Sequence, residues 1–286
     1  MTNQIKVFMM TTRPLENPEC FDQYYQERSA GRREMIDRIR MPQDKRLSLA
    51  AGILLDEGLR TYGLREARVH VCKGEYGKPY FPDFPEIHFN LSHSGNAALA
   101  VFADREVGCD IELRKRANEA LARRFFCARE ADWMLAAAEE KEREDRFYRI
   151  WTLKESFLKA TGQGLHLPLD SFCFTIRDKR GEDIAREEER DGANPEIIAA
   201  PEKDRTESMP IGMICMPDGL ETEDGAVLPE RRDSLISVTQ QFDNAGYEFV
   251  EYSISGNEDY CAAICIRRGE PEQPDILHSC EIYDRT

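Results

Sequence analysis

The sequence predicts an α+β fold. Strand-length apolar runs recur along the chain, at residues 5–11, 97–103, 247–254 and 260–266. Two segments, 44–58 and 145–161, carry apolar residues at helical spacing. Strands and helices follow one another without a regular strand–helix–strand repeat, which argues against a doubly wound parallel sheet.

Taken in order, residues 5–11 form an apolar run of strand type. Residues 44–58 place Leu47, Leu49, Ala50, Ile53 and Leu54 on a helical stripe, with Asp44 as the candidate N-cap. Residues 87–91 and 97–103 are predicted strands around the turn Ser94-Gly95-Asn96, and 106–112 is a further short strand. Residues 121–126 and 130–140 are predicted helices. Residues 145–161 form a long helix carrying Phe147, Ile150, Trp151, Phe157 and Leu158, which stops at Gly162. Residues 172–176, 247–254 and 260–266 complete the strands. Residues 177–233 lack a sustained apolar pattern and are rich in Glu, Asp, Pro and Gly. They are expected to form a solvated insertion, with 210–216 as a short strand inside it. The tail 270–286 is expected to be loose.

The chain has 286 residues, enough for one or two domains, with 39 Lys and Arg against 54 Asp and Glu, a formal net charge of −15. That balance argues against a general nucleic-acid or anionic-membrane binder, since both need a basic footprint. No apolar run reaches the roughly 20 residues of a membrane span. The opening residues lack the apolar core of a signal peptide, so a cytoplasmic protein is expected. The charge is uneven. Residues 1–176 hold 27 basic and 27 acidic side chains, so all the excess acid lies beyond them. Nine cysteines occur without a CxxC pair or a His/Cys ligand spacing. They are expected to be reduced thiols, mostly small buried hydrophobes, with no structural metal among them.

Five segments carry candidate chemistry. In Gly108-Cys109-Asp110-Ile111-Glu112, a strand would point Asp110 and Glu112 to one face and Cys109 to the other. Two adjacent carboxylates repel unless a cation sits between them, and oxygen-only ligands favour Mg²⁺, Mn²⁺ or Ca²⁺. A strand with a solvated acidic face accounts for this triplet alone at least as well. In Trp151-Thr152-Leu153-Lys154-Glu155-Ser156-Phe157-Leu158-Lys159, Glu155 and Lys159 lie one helical turn apart. They are either a surface ion pair or a metal carboxylate with a phosphate clamp. Phe89-Asn90-Leu91-Ser92-His93-Ser94-Gly95 puts hydroxyls, an imidazole and backbone N–H groups at a strand end, which suits phosphate oxygens as well as a structural turn. Gly74-Glu75-Tyr76-Gly77-Lys78-Pro79 is a turn carrying a lysine; its spacing is not that of a P-loop. The run Arg28, Arg32, Arg33, Arg38, Arg40, Lys45 and Arg46 is a solvated helix face or a polyanion pocket, with Arg46 best placed.

The order and spacing of these segments, closed by Gly162-Gln163-Gly164-Leu165, resemble the 4′-phosphopantetheinyl transferases. The likeness is to the larger, monomeric type that activates peptide synthetases, and it covers residues 6–176 and 247–267. It implies two similar α+β halves, about 1–106 and 107–286, forming a pseudo-dimer with coenzyme A in the cleft between them. It implies transfer of phosphopantetheine to a serine of an apo acyl or peptidyl carrier protein, with release of 3′,5′-ADP. Asp110, Glu112 and Glu155 fall at the family's Mg²⁺ positions, where Mn²⁺ is an alternative. Glu155, Lys159 and Asp110 are the implied catalytic groups. Arg46, Lys78, Pro79, Ser92, His93 and Lys159 fall at coenzyme A contacts. Further basic contacts would fall near Arg32 or Arg33. Neither nucleic acid nor membrane is an implied partner.

Overall fold

The structure is a computed structural model and describes residues 5–177, 212–215, 229–239, 246–256 and 258–269. The predicted loose tail and all but residues 177, 212–215 and 229–233 of the acidic segment lie outside the described residues.

The chain opens with β1 (Lys6–Thr11), a 3-10 turn, and two short helices, α1 (Pro18–Gln26) and α2 (Ala30–Arg38). Asn17 caps α1 through its side-chain oxygen, and Ser29 caps α2. The first long helix, α3, runs Pro42–Arg60. Its N-cap is Met41 and not Asp44, because Pro42 takes the first helical position, where a missing N–H costs nothing. A small hairpin, β2 (Cys72–Lys73) and β3 (Pro79–Tyr80), precedes the strands β4 (His88–Ser94), β5 (Ala97–Ala103) and β6 (Val107–Leu113). Helices α4 (Glu119–Phe125) and α5 (Ala128–Leu135) lead into α6 (Glu140–Thr161). The predicted helix at 130–140 is therefore two pieces. Arg146 and Arg143 donate to the carbonyls of Trp133 and Ala137, which satisfies acceptors at the end of α5. As predicted, α6 ends on Gly162, which is left-handed at φ 71°. The remaining strands are β7 (Cys173–Arg177), β8 (Gly212–Cys215), β9 (Pro229–Arg231), β10 (Leu235–Thr239), β11 (Tyr247–Ile254) and β12 (Tyr260–Arg267).

Two four-stranded sheets organise the molecule, ordered β4-β5-β1-β8 and β6-β12-β11-β9. In the first, β1, α3 and the antiparallel pair β4–β5 follow in sequence, and β5 pairs antiparallel with β1. The same connectivity recurs in the second, where β6, α6 and the pair β11–β12 follow in sequence and β12 pairs antiparallel with β6. Period-two alternation then builds the layers. Val7, Met9, Leu99 and Val101 from the first sheet meet Val107, Cys109, Ile111 and Ile264 from the second in one buried cluster. The opposite faces pack on helices. Phe8, Met10, Ala100 and Phe102 lie under Leu49, Ile53 and Leu54 of α3, while Tyr247, Phe249, Ala263 and Cys265 lie under α6 with Phe157 and Leu158. The result is helix, sheet, sheet, helix.

The cysteine expectation is corrected at one pair. Cys127 and Cys173 are disulfide-bonded, with Cα atoms 5.8 Å apart. They stand 46 residues apart in sequence, and only the docking of the start of α5 on β7 brings them together. Cys109, Cys261 and Cys265 are buried free thiols, as expected.

Candidate active site

β4 and β6 are edge strands of different sheets, and they meet along a polar seam. Alternate residues of β4 face β6. Asn90 Oδ1 accepts from the Cys109 N–H at 3.0 Å, Ser92 Oγ from Ile111 N–H at 3.4 Å, and Ser94 Oγ from Leu113 N–H at 3.1 Å. Side chains thus satisfy edge donors that a neighbouring strand would otherwise take. The same two hydroxyls donate to the carboxylates of β6: Ser92 to Asp110 at 2.9 Å and Ser94 to Glu112 at 2.6 Å.

α6 lies directly over this strand because Gly108 has no side chain. A Cβ there would stand 2.1 Å from the Ser156 carbonyl oxygen and 2.3 Å from the Ala160 nitrogen. The close approach places the last turns of α6 beside Asp110. Lys159 Nζ donates to Asp110 at 2.7 Å and to Ser92 Oγ at 3.0 Å. Asp110 is 3% exposed, and its Oδ2 is buried without a hydrogen-bond partner. Burial pushes its carboxyl above the ordinary range, against the pull of Lys159 and Ser92. Burial and the Asp110 charge push up Glu112 and Glu155, so the three carboxylates sense one another. Burial alone would lower Lys159, but Asp110, Cys109 and Glu155 together outweigh it and raise the ammonium. Cys109 points the other way, into the cluster between the sheets, and burial pushes its thiol up to about 12.

The other predicted residues divide. His93 stands near the end of β4 with part of its surface open to solvent; partial desolvation lowers its imidazole, and Lys159 adds to that. The start of α3 reaches this end of β4: Gln43 Nε2 donates to the Gly95 carbonyl at 2.9 Å. Arg46 lies in the first turns of α3, 3.9 Å from Glu16, and its Nε is buried without a hydrogen-bond partner. Pro79 begins β3. Lys78 is turned to the end of α6, where Nζ donates to the Ala160 carbonyl at 2.6 Å. Arg28, Arg32 and Arg33 do not line the seam. Arg28 bonds the carbonyls of Gly52 and Tyr24, Arg32 faces Glu66, and Arg33 bonds the carbonyls of Gln26 and Arg28. Sequence reading missed the roles of Asn90, Ser94 and Gly108. The signal was the polar alternation 90, 92, 94 on one face of β4.

Among the described residues, one set of three metal-ligating side chains brings its ligand atoms within 4.8 Å of one another: Cys127, Glu130 and Cys173. Its sulfurs are bonded to each other, and Glu130 already accepts from Cys127 N–H, Phe174 N–H and Lys154. The three seam carboxylates stand further apart, with Lys159 on Asp110.

Comparison with known proteins gives the family. The family model of the 4′-phosphopantetheinyl transferase superfamily matches residues 106–205, which include β6 and α6. The 4′-phosphopantetheinyl transferase ffp of Bacillus subtilis is 37% identical over 167 residues, 58% of this chain and 74% of that protein. The chain belongs to the 4′-phosphopantetheinyl transferases. It is similar also to 4′-phosphopantetheinyl transferase Sfp of Bacillus subtilis strain 168, 38% identical over 165 residues, or 57% of this chain and 73% of that one. HetI of Nostoc is 36% identical over 160 residues, 53% and 67% of the two chains. The protein is accordingly a transferase enzyme. Among the described residues, no helix of this phosphopantetheinyl transferase is long and apolar enough to cross a membrane.

Proposed function

We propose that this transferase moves the 4′-phosphopantetheine arm of coenzyme A onto a serine hydroxyl of an apo acyl or peptidyl carrier protein and releases 3′,5′-ADP. Asp110, Glu112 and Glu155 would hold a divalent cation, Mg²⁺ or in its place Mn²⁺. The observation that carries this reading is Asp110, a buried carboxylate with one oxygen tied to Ser92 and Lys159 and the other without a partner. The residues fit a hard cation. All three donors are carboxylates, they come from two packed elements, and their burial disfavours the uncompensated charge. When bound, the cation supplies Lewis acidity at the pyrophosphate and offsets part of its charge.

The chain's own groups do the rest. Glu155, its carboxyl raised above the ordinary range by burial and the Asp110 charge, accepts the proton of the incoming serine hydroxyl. Lys159 offers its ammonium to phosphate oxygens as charge develops on the leaving group. Ser92 and His93, at the same end of β4, and Arg46, at the start of α3, bind the remaining phosphates. Pro79 adds a coenzyme A contact. The recurrence of strand, helix and hairpin in both sheets supports a pseudo-dimer of halves 1–106 and 107–286. One chain then supplies both sides of the cleft, so the enzyme acts as a monomer, in the cytoplasm and without nucleic acid or membrane. Incubation with apo carriers, coenzyme A and Mg²⁺ tests the reading. A mass gain of one phosphopantetheine per carrier supports it, and no gain across several peptidyl and acyl carriers refutes it.

A further inference from the structure

A side chain of the small hairpin reaches across to the end of α6. We propose that the hairpin at residues 74–80 is a clamp on the end of α6, with Lys78 as a positioning residue for Lys159. The hairpin turn is closed by Gly74 N–H to Lys78 O and Gly77 N–H to Gly74 O, both 2.9 Å, with Gly77 at φ 87°. From it, three contacts cross to the far side of the seam. Lys78 Nζ donates to Ala160 O at 2.6 Å. A Cβ on Gly162 would lie 3.1 Å from Lys78 Cδ, so the lysine stem runs along the helix cap. The Tyr76 ring sits 4.5 Å from His166, just beyond the cap.

Ala160 is the penultimate residue of α6, and its carbonyl is one of the four at a helix end without an intrahelical donor. An ammonium there satisfies the acceptor and complements the negative end of the helix dipole. The carbonyl belongs to the residue after Lys159. Fixing that turn fixes the backbone from which Lys159 reaches Asp110 and Ser92. The family resemblance would give Lys78 to a coenzyme A phosphate. Here its ammonium is half-buried and already held against a carbonyl. The role assigned to Lys78 rests on the transferase reading, since its consequence is the placement of a phosphate-binding lysine.

The test is Lys78→Met, which keeps the apolar stem, beside Lys78→Arg, which keeps the charge. The clamp predicts that amide exchange at residues 159–162 quickens about tenfold in Lys78→Met, because the end of α6 frays more often. It predicts a kcat about tenfold lower with KM for coenzyme A changed less than about threefold, and partial recovery in Lys78→Arg. The loss should be the same with 3′-dephospho-coenzyme A as with coenzyme A. A KM raised about tenfold for coenzyme A but not for the dephospho form would make Lys78 a phosphate ligand and overturn the proposal. Unchanged exchange would overturn it as well. Should Lys78→Met fail to fold, the same substrate comparison in Lys78→Arg decides. The exchange arm needs no turnover, so it still tests the clamp if the wild-type chain fails to modify any carrier.

Discussion

At the scale of single residues, the account turns on the two faces of β6. Asp110 looks to Lys159, and Cys109 looks into the apolar cluster between the sheets. Asp110→Ala removes a carboxylate that the proposed cation needs, and it leaves Lys159 without its counter-ion. Mg²⁺-dependent transfer should fall by about a hundredfold or more, as read by carrier mass against time. Cys109→Ser puts a hydroxyl among the buried apolar side chains that pack on the thiol. It should cost about 1–3 kcal/mol of stability in a denaturant melt while transfer stays within a fewfold of wild type. If the serine variant is as inactive as the alanine one, the assignment of faces is wrong.

At the scale of elements, the governing contact is α6 on β6. Gly108→Ala would drive a methyl into the Ser156 carbonyl, which belongs to rigid helix backbone. The helix must shift, at a cost of about 1–3 kcal/mol or more, and Glu155 and Lys159 shift with it. Transfer should drop in a protein that still folds, which a thermal melt alongside the assay would show. Much of this element-level picture was legible beforehand. The alternation of 107–112, the apolar stripe of 44–58 and the glycine stop at 162 each report a local rule, and each element formed where that rule operates. What was not legible depends on distant partners. The break between α5 and α6 is held by arginines of α6 reaching back to carbonyls at the end of α5. The Cys127–Cys173 pair needs α5 to dock on β7. Asp110, Glu112, Glu155 and Lys159 could be named from motif spacing, but Lys78 could not be turned towards α6 without the fold.

At the scale of the whole molecule, charge sorts into distinct tasks. The net −15 belongs to residues beyond 176, while the seam draws on the electrically balanced part of the chain. Of the basic run, Arg28 and Arg32 tie the start of α2 to α3 and to the turn after it, where Arg60 and Arg65 join them. Asp56 is their hub: it accepts from Glu66 N–H at 2.8 Å and Arg65 at 3.0 Å, and pairs with Arg60 and Arg28. Burial alone would raise its carboxyl, but the Glu66 amide and the arginines outweigh it and hold it below the ordinary range. A depressed folded-state pKa contributes stability above the unfolded value near 3.9 that is lost as pH falls through the folded value. Asp56→Ala should therefore cost about 3 kcal/mol at pH 7, and the gap to wild type should narrow below about pH 4 in parallel melts. A gap that does not change with pH would mean the charge of Asp56 contributes nothing.

The central claim is that the seam of β4, β6 and α6 transfers phosphopantetheine. Intact mass of a panel of apo peptidyl and acyl carriers, after incubation with this chain, coenzyme A and Mg²⁺, tests it most directly, with Asp110→Ala alongside. The account predicts one phosphopantetheine added to at least one carrier, 3′,5′-ADP released in equal amount, and neither with the variant. An Asp110→Ala chain as active as wild type, or no modification of any carrier by the wild type, would contradict it.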